Sequence, residues 1–202
     1  MLGGLVAGYE RTASVEILGR DSSGAVGNIF KILPPLSCGP IASSAAVVID
    51  ESESEQGQVL LIGGWVEGYT SASSTVRKVD LATGMCTAQP ALLCPQGHIF
   101  ADWTAGRLPD GRIVRVGTTL VDASDDESSE KEEAEYHTMA QVLEPPPHGS
   151  LSGASWQWRA LPGMSDADQS GTVGCVQSDG RFAVFGGVDD NSIVPLLRLV
   201  RR

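Results

Sequence analysis

Three histidines, four cysteines and a dense run of carboxylates are the residues of this 202-residue chain suited to chemistry. Cys94 and His98 lie close together in CPQGHIF. Glu133 lies four residues before His137, and Ser129 four residues before Glu133. His148 lies in loop-like sequence, and isolated histidines in such settings are usually structural. None of Cys38, Cys86, Cys94 and Cys175 belongs to a CxxC pair, so zinc and thioredoxin-type chemistry find no motif. Each cysteine sits in or beside an apolar run and reads as a small buried thiol. No metal, cofactor or catalytic residue is assigned.

Charge narrows the range of partners. The formal net charge is −11, and Asp122–Glu135 carries eight carboxylates and one lysine of that total. The excess acid opposes binding to a phosphate backbone, and only Arg198, Arg201 and Arg202 cluster positive charge. The acidic run, an insertion over 122–136, reads as solvated loop. Its second reading is a docking site for a basic partner, strengthened by phosphate on Ser124, Ser128 or Ser129. The N-terminal MLGGLVAGYERTASVE lacks the basic flank and apolar core of a signal peptide, and no apolar run is long enough for a membrane helix. Thiols without an export signal predict a cytoplasmic or nuclear protein, with no nucleic-acid or membrane partner.

Any chemistry must be positioned by a repeat. DGRIVRVGT, Asp110 to Thr118, is echoed by DGRFAVFGG, Asp179 to Gly187. Aligning glycines that close apolar runs marks Gly3, Gly63, Gly117 and Gly186, at steps of 60, 54 and 69 residues. After each mark comes a loop and a short run: SVEIL, TVRKVD, TMAQVLE or IVPLLRLV. Next comes a half-apolar run, NIFKILPPL, CTAQPALL or WQWRALPGM, and then an extended segment, SSAAVVID, ADWTAGRL or GTVGCVQ. Runs of four to eight residues bounded by Gly, Pro, Asp and Ser are strand-like, and the DG corners supply the positive φ of tight hairpins. Four strands per unit above a 40-residue period is the requirement of a propeller blade. One segment is ambiguous. SEKEEAEYHTMAQVLE has a helical capping pattern, Ser129 with Glu132, and helically spaced Tyr136, Met139, Ala140 and Leu143. The repeat register instead requires a strand near Thr138–Leu143, and that reading is preferred over the helix for Glu130–Leu143.

With these elements in place, the chain resembles the kelch-repeat β-propeller family. The resemblance rests on VLLIGG followed by VRKVD, and on WQWRALPGM followed by DGRFAVFGG, with Gly63, Gly64, Gly117, Gly186 and Gly187 as the repeat glycines. Thr118 replaces one second glycine, Phe30 stands where one tryptophan belongs, and CTAQPALL lacks an aromatic. The resemblance implies an all-β, partial kelch-type propeller with four-stranded antiparallel blades, in parts approximately 1–36, 43–93, 101–164 and 170–200. About twelve strands, or three blades, are expected. Both ends fall inside blades, which implies either a gene fragment lacking further blades or a homodimer of halves.

The resemblance also locates function. Loops after the Gly-Gly strand and between blades share one face, with long loops expected at Trp65–Ser74 and Thr118–Tyr136 and a short one at Val188–Ser192. That face is expected to bind a protein partner, with Trp65, Tyr69, Trp103 and Arg115 as contributors. Each of these four also has a purely structural role open to it. Some family members are copper radical oxidases using two tyrosines, two histidines and a cysteine, for which Cys94 and His98 are the suggestive pair, but the few histidines and the absent ligand-bearing domain argue against that chemistry. Others use a Glu/Asp/His iron ladder, for which Glu133 with His137 is the nearest candidate, but Ser129 stands where the first carboxylate belongs. A ubiquitin-ligase adaptor would need an additional BTB or F-box region. The expectation is therefore a non-enzymatic interaction module, with a metal-enzyme fragment or ligase adaptor as alternatives.

Overall fold

The computed structural model describes residues 2–5, 10–20, 26–50, 57–67, 71–95, 98–121, 136–145, 155–162, 173–185, 188–189, 192–193 and 197–200. The described residues form strands and turns, with no helix among them. The first sheet contains β1 (Leu2–Leu5), β2 (Arg11–Arg20) and β3 (Val26–Leu33), in that order. The next strands are β4 (Ala45–Asp50), β5 (Gln58–Ile62), β6 (Trp65–Glu67), β7 (Ser71–Ala72), β8 (Val76–Asp80) and β9 (Cys86–Gln89). They make a four-stranded sheet, β4-β5-β8-β9, and a separate hairpin, β6-β7. The third sheet is β10 (His98–Arg107), β11 (Ile113–Val121), β12 (Tyr136–Glu144) and β13 (Gln157–Ala160), again in chain order. The chain continues with β14 (Val173–Val176), β15 (Phe182–Phe185), β16 (Val188–Asp189), β17 (Ser192–Ile193) and β18 (Leu197–Val200). These form the sheet β14-β15-β18 and the hairpin β16-β17. Every strand pair is antiparallel.

Period-two alternation explains why the sheets stack. Along β5, Val59 and Leu61 enter a core with Val15, Leu33 and Ile41 of the first sheet and its connector. Leu60 and Ile62 enter another core, with Ile113, Leu143 and Trp158 of the third sheet. Successive side chains of a strand point to opposite faces, so one apolar strand feeds two joints. β11 and β12 repeat the device: Ile113 and Leu143 face back, while Val114, Val116, Ala140 and Val142 face Phe182 and Val184 of the fourth sheet. A strand covered on both sides must read as a nearly continuous apolar run, as VLLI and IVRV do.

The DGR repeat builds one corner twice. Gly111 has φ +86° and Gly180 has φ +80°. The Gly111 amide donates to Leu108 O at 2.9 Å, and the Gly180 amide donates to Gln177 O at the same distance. Asp110 Oδ2 accepts from Arg112 Nε at 3.0 Å, and Asp179 Oδ2 accepts from Arg181 Nε at 2.6 Å. The carboxylate thereby latches the arginine two residues on, across the turn that glycine permits. Asp80, which ends β8, also closes a turn, because its Oδ1 accepts from the Thr83 amide at 2.9 Å.

Several expectations change. Among the described residues, four sheets and two hairpins hold eighteen strands where about twelve were expected; four of the extra strands are hairpins formed after β5 and β15. Gly117 lies within β11, not at its end, since Thr118 to Leu120 remain paired to β12 and Phe100 to His98 pair with Thr119 to Val121. The ambiguous segment is strand from Tyr136, as the repeat register required, paired with β11 through Leu143 and with β13 from Gln141 onward, while its residues before 136 lie outside the described ones. Helical spacing of its apolar residues loses to a ladder with a partner on either side. The cysteines are not a buried set: Cys94 and Cys175 are exposed, and Cys38 and Cys86 are half-buried. Cys175 lies in the short strand β14, and Cys94 lies in a connector.

Candidate functional site

Strand pairing fixes which loops meet. Ala45 opposes Ile62, His98 opposes Val121 and Val173 opposes Phe185, so each first strand begins where its second strand ends. The starts of β4, β10 and β14 therefore share one rim with the ends of β5, β11 and β15. The DGR corners occupy the opposite rim.

The best-described part of the first rim lies over the second and third sheets. Gly63 and Gly64 end β5 with φ +66° and +101°, and the chain turns at once into β6-β7. Trp65 anchors this hairpin to the preceding connector: its amide donates to Ala42 O at 2.8 Å, and the Ala42 amide returns a bond to Trp65 O at 3.3 Å. Leu92 ties the next connector to the same hairpin base, its amide donating to Ser74 O at 2.9 Å. Gln141, fully buried, grips that connector from below. Its Nε2 donates to Leu93 O at 2.5 Å, and its Oε1 accepts from the Leu93 amide at 3.2 Å. Trp158 Nε1 adds a bond to Pro90 O at 3.0 Å. Gln141→Leu is expected to cost about 1–3 kcal/mol, because two bonds to one residue's backbone are lost. A urea-denaturation series that finds no loss would remove this role.

Trp103 and Arg115 meet inside the joint. Trp103 on β10 opposes Gly117 on β11, and its ring lies against the place where a Gly63 side chain would project. The Arg115 guanidinium is 5.7 Å from the Trp103 ring centroid, within cation–π range, and Arg115 is fully buried. Burial pulls its pKa down to about 10, partly offset by the nearby Cys94 sulfur. Below that pH the guanidinium is charged in both folded and unfolded chains, so its burial is a constant cost across the neutral range. The cost is relieved only as pH climbs past about 10 toward the ordinary guanidinium value. Cys94 is itself pushed up by burial and drawn back by the Arg115 charge.

Of the expected binding residues, Trp65 is half-buried on the rim, Trp103 is half-buried in the joint, and Arg115 is enclosed beneath Trp103. Tyr69 lies outside the described residues, as do Gly186, Gly187, Glu133, His148 and the acidic run 122–135 with its serines. His98 begins β10 and His137 stands second in β12, opposite Thr119. Among the described residues no group of three or more His, Cys, Asp or Glu side chains stands together as a metal site would require. Nor is any described helix long and apolar enough to cross a membrane. The Gln141 clamp escaped sequence reading, although a lone glutamine inside the apolar TMAQVLE was its signal.

No family model matches the sequence, and no curated protein matches it. Among solved structures the chain is similar to that of YjhT, with a TM-score of 0.60 over 95% of this chain at 14% identity. YjhT is a β-propeller, and with the antiparallel sheets in sequential order this establishes the fold as all-β and a partial propeller. The chain spans 50% of the YjhT chain it matches.

Proposed function

We propose that this protein is a kelch-type, non-enzymatic interaction module that binds a protein partner on the rim bearing the connectors and post-glycine loops. The observation that carries the reading is that the starts of β4, β10 and β14 and the ends of β5, β11 and β15 lie on one rim of a stack of sheets, with the β6-β7 hairpin and the connectors at Ala42 and Leu92 tied together there. Rigid sheets hold such loops in place, and loops carry recognition. Trp65 offers a half-exposed indole there, and Leu93 on the next connector is exposed. Aromatic anchors of this kind commonly dominate interfaces. In this reading Trp103 and Arg115 support the rim from within, with Tyr69 as a further contact. The acidic balance favours a protein over nucleic acid or a membrane surface, and thiols outside any disulfide suit a cytoplasmic or nuclear setting. Kelch-type membership is supported by Asp80 capping the turn after β8 and by Trp158 bonding the connector at Pro90.

The ends of the stack belong to the same proposal. Leu18 and Phe30 pair across β2 and β3 on the outward face of the first sheet, and Ile32 beside them is 76% exposed. Val173, 67% exposed, pairs with Phe185 on the far face of the fourth. Additional blades, from a longer chain or a second copy, would cover both.

The binding reading is tested by quantitative proximity labelling in cells with wild type and Trp65→Ala. The variant should reduce labelling of a discrete partner set at least about tenfold, the effect of removing an aromatic anchor. Arg112→Ala, on the opposite rim, should leave that set unchanged. Equal loss from both variants would count against a rim-specific partner.

A further inference from the structure

Two of the four thiols meet across a joint, and nothing so far gives them a purpose. Cys86 opens β9, the last strand of the second sheet, and Cys38 lies in the connector that enters that sheet from the first. They are 48 residues apart in sequence, yet their Sγ atoms share a hydrogen bond at 2.8 Å. The backbone holds them there. The Cys86 amide donates to Ser37 Oγ at 2.8 Å, and the Ser37 amide donates to Gly84 O at 2.9 Å. The turn at Cys38 is closed by the Gly39 amide donating to Leu36 O at 3.2 Å, with Gly39 at φ +84°. Gly84, at φ +72°, lets the β8–β9 turn press against the Pro35 carbonyl. Both chain segments are therefore fixed by groups other than the sulfurs. Each cysteine is half-buried, open on one side and packed on the other against the core containing Leu33, Leu36 and Val79.

We propose that Cys38 and Cys86 form a reversible oxidation site, a disulfide that staples the first inter-sheet connector to the outer strand of the second sheet. A disulfide requires sulfurs about 2.05 Å apart and fixed, converging Cα positions; here the partners already touch and their backbones are tethered. The co-reactant is a small-molecule disulfide of the glutathione class. One protein thiolate attacks a sulfur of that disulfide, forms a mixed disulfide and expels one thiolate. The second protein thiolate then attacks the mixed-disulfide sulfur of the first cysteine and expels the other half of the oxidant. The protein loses two protons and two electrons; the oxidant gains both electrons and leaves as two thiols. Burial, then the hydrogen bond and charge of Cys86, push Cys38 up to about 11. Cys38 is thus held as a thiol at neutral pH. Capping Cys86 removes two of the three influences that hold the Cys38 proton. Closing a loop of this length restricts the unfolded chain, so the oxidised form should be the more stable.

The test uses the full chain, fully reduced, then equilibrated in oxidised and reduced glutathione, acid-quenched and mapped by peptide mass spectrometry. Cys38 and Cys86 should appear joined to each other, while exposed Cys94 and Cys175 carry glutathione or stay reduced. Linkage should form faster as pH rises from about 7 to about 9. The oxidised protein should melt roughly 10 °C above the reduced one. Cys38→Ser and Cys86→Ser should each abolish that rise. Recovery of Cys38 and Cys86 as reduced thiols, or capped separately by glutathione, would overturn the proposal. So would a joined pair without any rise in melting temperature. Because the peptide map is made on wild-type protein, it decides the matter even where a serine variant fails to fold.

Discussion

Gly63→Ala is expected to destabilise the protein by about 2–5 kcal/mol, although it adds one methyl group. Two independent effects combine at this position. Gly63 has φ +66°, a left-handed conformation that costs an L-residue roughly 1–2 kcal/mol. The new Cβ would also lie 2.6 Å from Trp103 Cζ2, and forcing a packed indole aside adds about 1–3 kcal/mol. Gly111→Ala separates the two terms. Gly111 has φ +86°, but nothing lies within 4 Å of the place its Cβ would occupy. It should therefore show the backbone cost alone. Urea midpoints for the two variants give the comparison, and equal losses would mean that Trp103 does not press on the glycine. The Gly63 result bears on the rim as well, because displacing Trp103 also moves it from the Arg115 guanidinium.

Phe182→Ala should be at least as damaging, at about 3–5 kcal/mol. Phe182 is fully buried and joins the third sheet to the fourth. Its ring fits between two glycines: a Cβ on Gly106 would lie 2.8 Å from its Cε2, and a Cβ on Gly174 would strike its Cζ. The Gly174 amide is held by Thr104 Oγ1 at 2.8 Å. Walls made of tethered backbone collapse poorly into a void, which places the loss toward the upper end of the range. Gly174→Ala supplies the check. Alone it should destabilise by crowding the ring; in the Phe182→Ala background much of that penalty should vanish, since the ring is gone. Simple additivity of the two losses in thermal melts would refute the interlock.

These two positions show how far the sequence could be read. The glycine pair after VLLI was legible because an apolar run that stops at Gly-Gly requires positive φ, and both residues have it. The DGR corners were legible for a similar reason: carboxylate, glycine and arginine complete their contacts within three residues. Gly106 and Gly174 were not legible. Neither closes a run, and their need for glycine comes from a phenylalanine brought in by sheet stacking. Gly117 misled in the opposite way, because it resembles a run-closing glycine while its strand continues to Val121. The candidate site divides similarly. Trp65 follows directly from the glycine pair, whereas the meeting of Trp103 with Arg115 and the burial of Arg115 depend on how the second and third sheets stack.

The sequence by itself determined most of the strands and their antiparallel corners. Both follow from period-two alternation and turn chemistry, which act over a few neighbouring residues. Tertiary structure alone decided that Gln141 holds a connector and that Cys38 meets Cys86. Each of these depends on partners far away along the chain, and the free energy of such contacts exists only once the sheets are stacked.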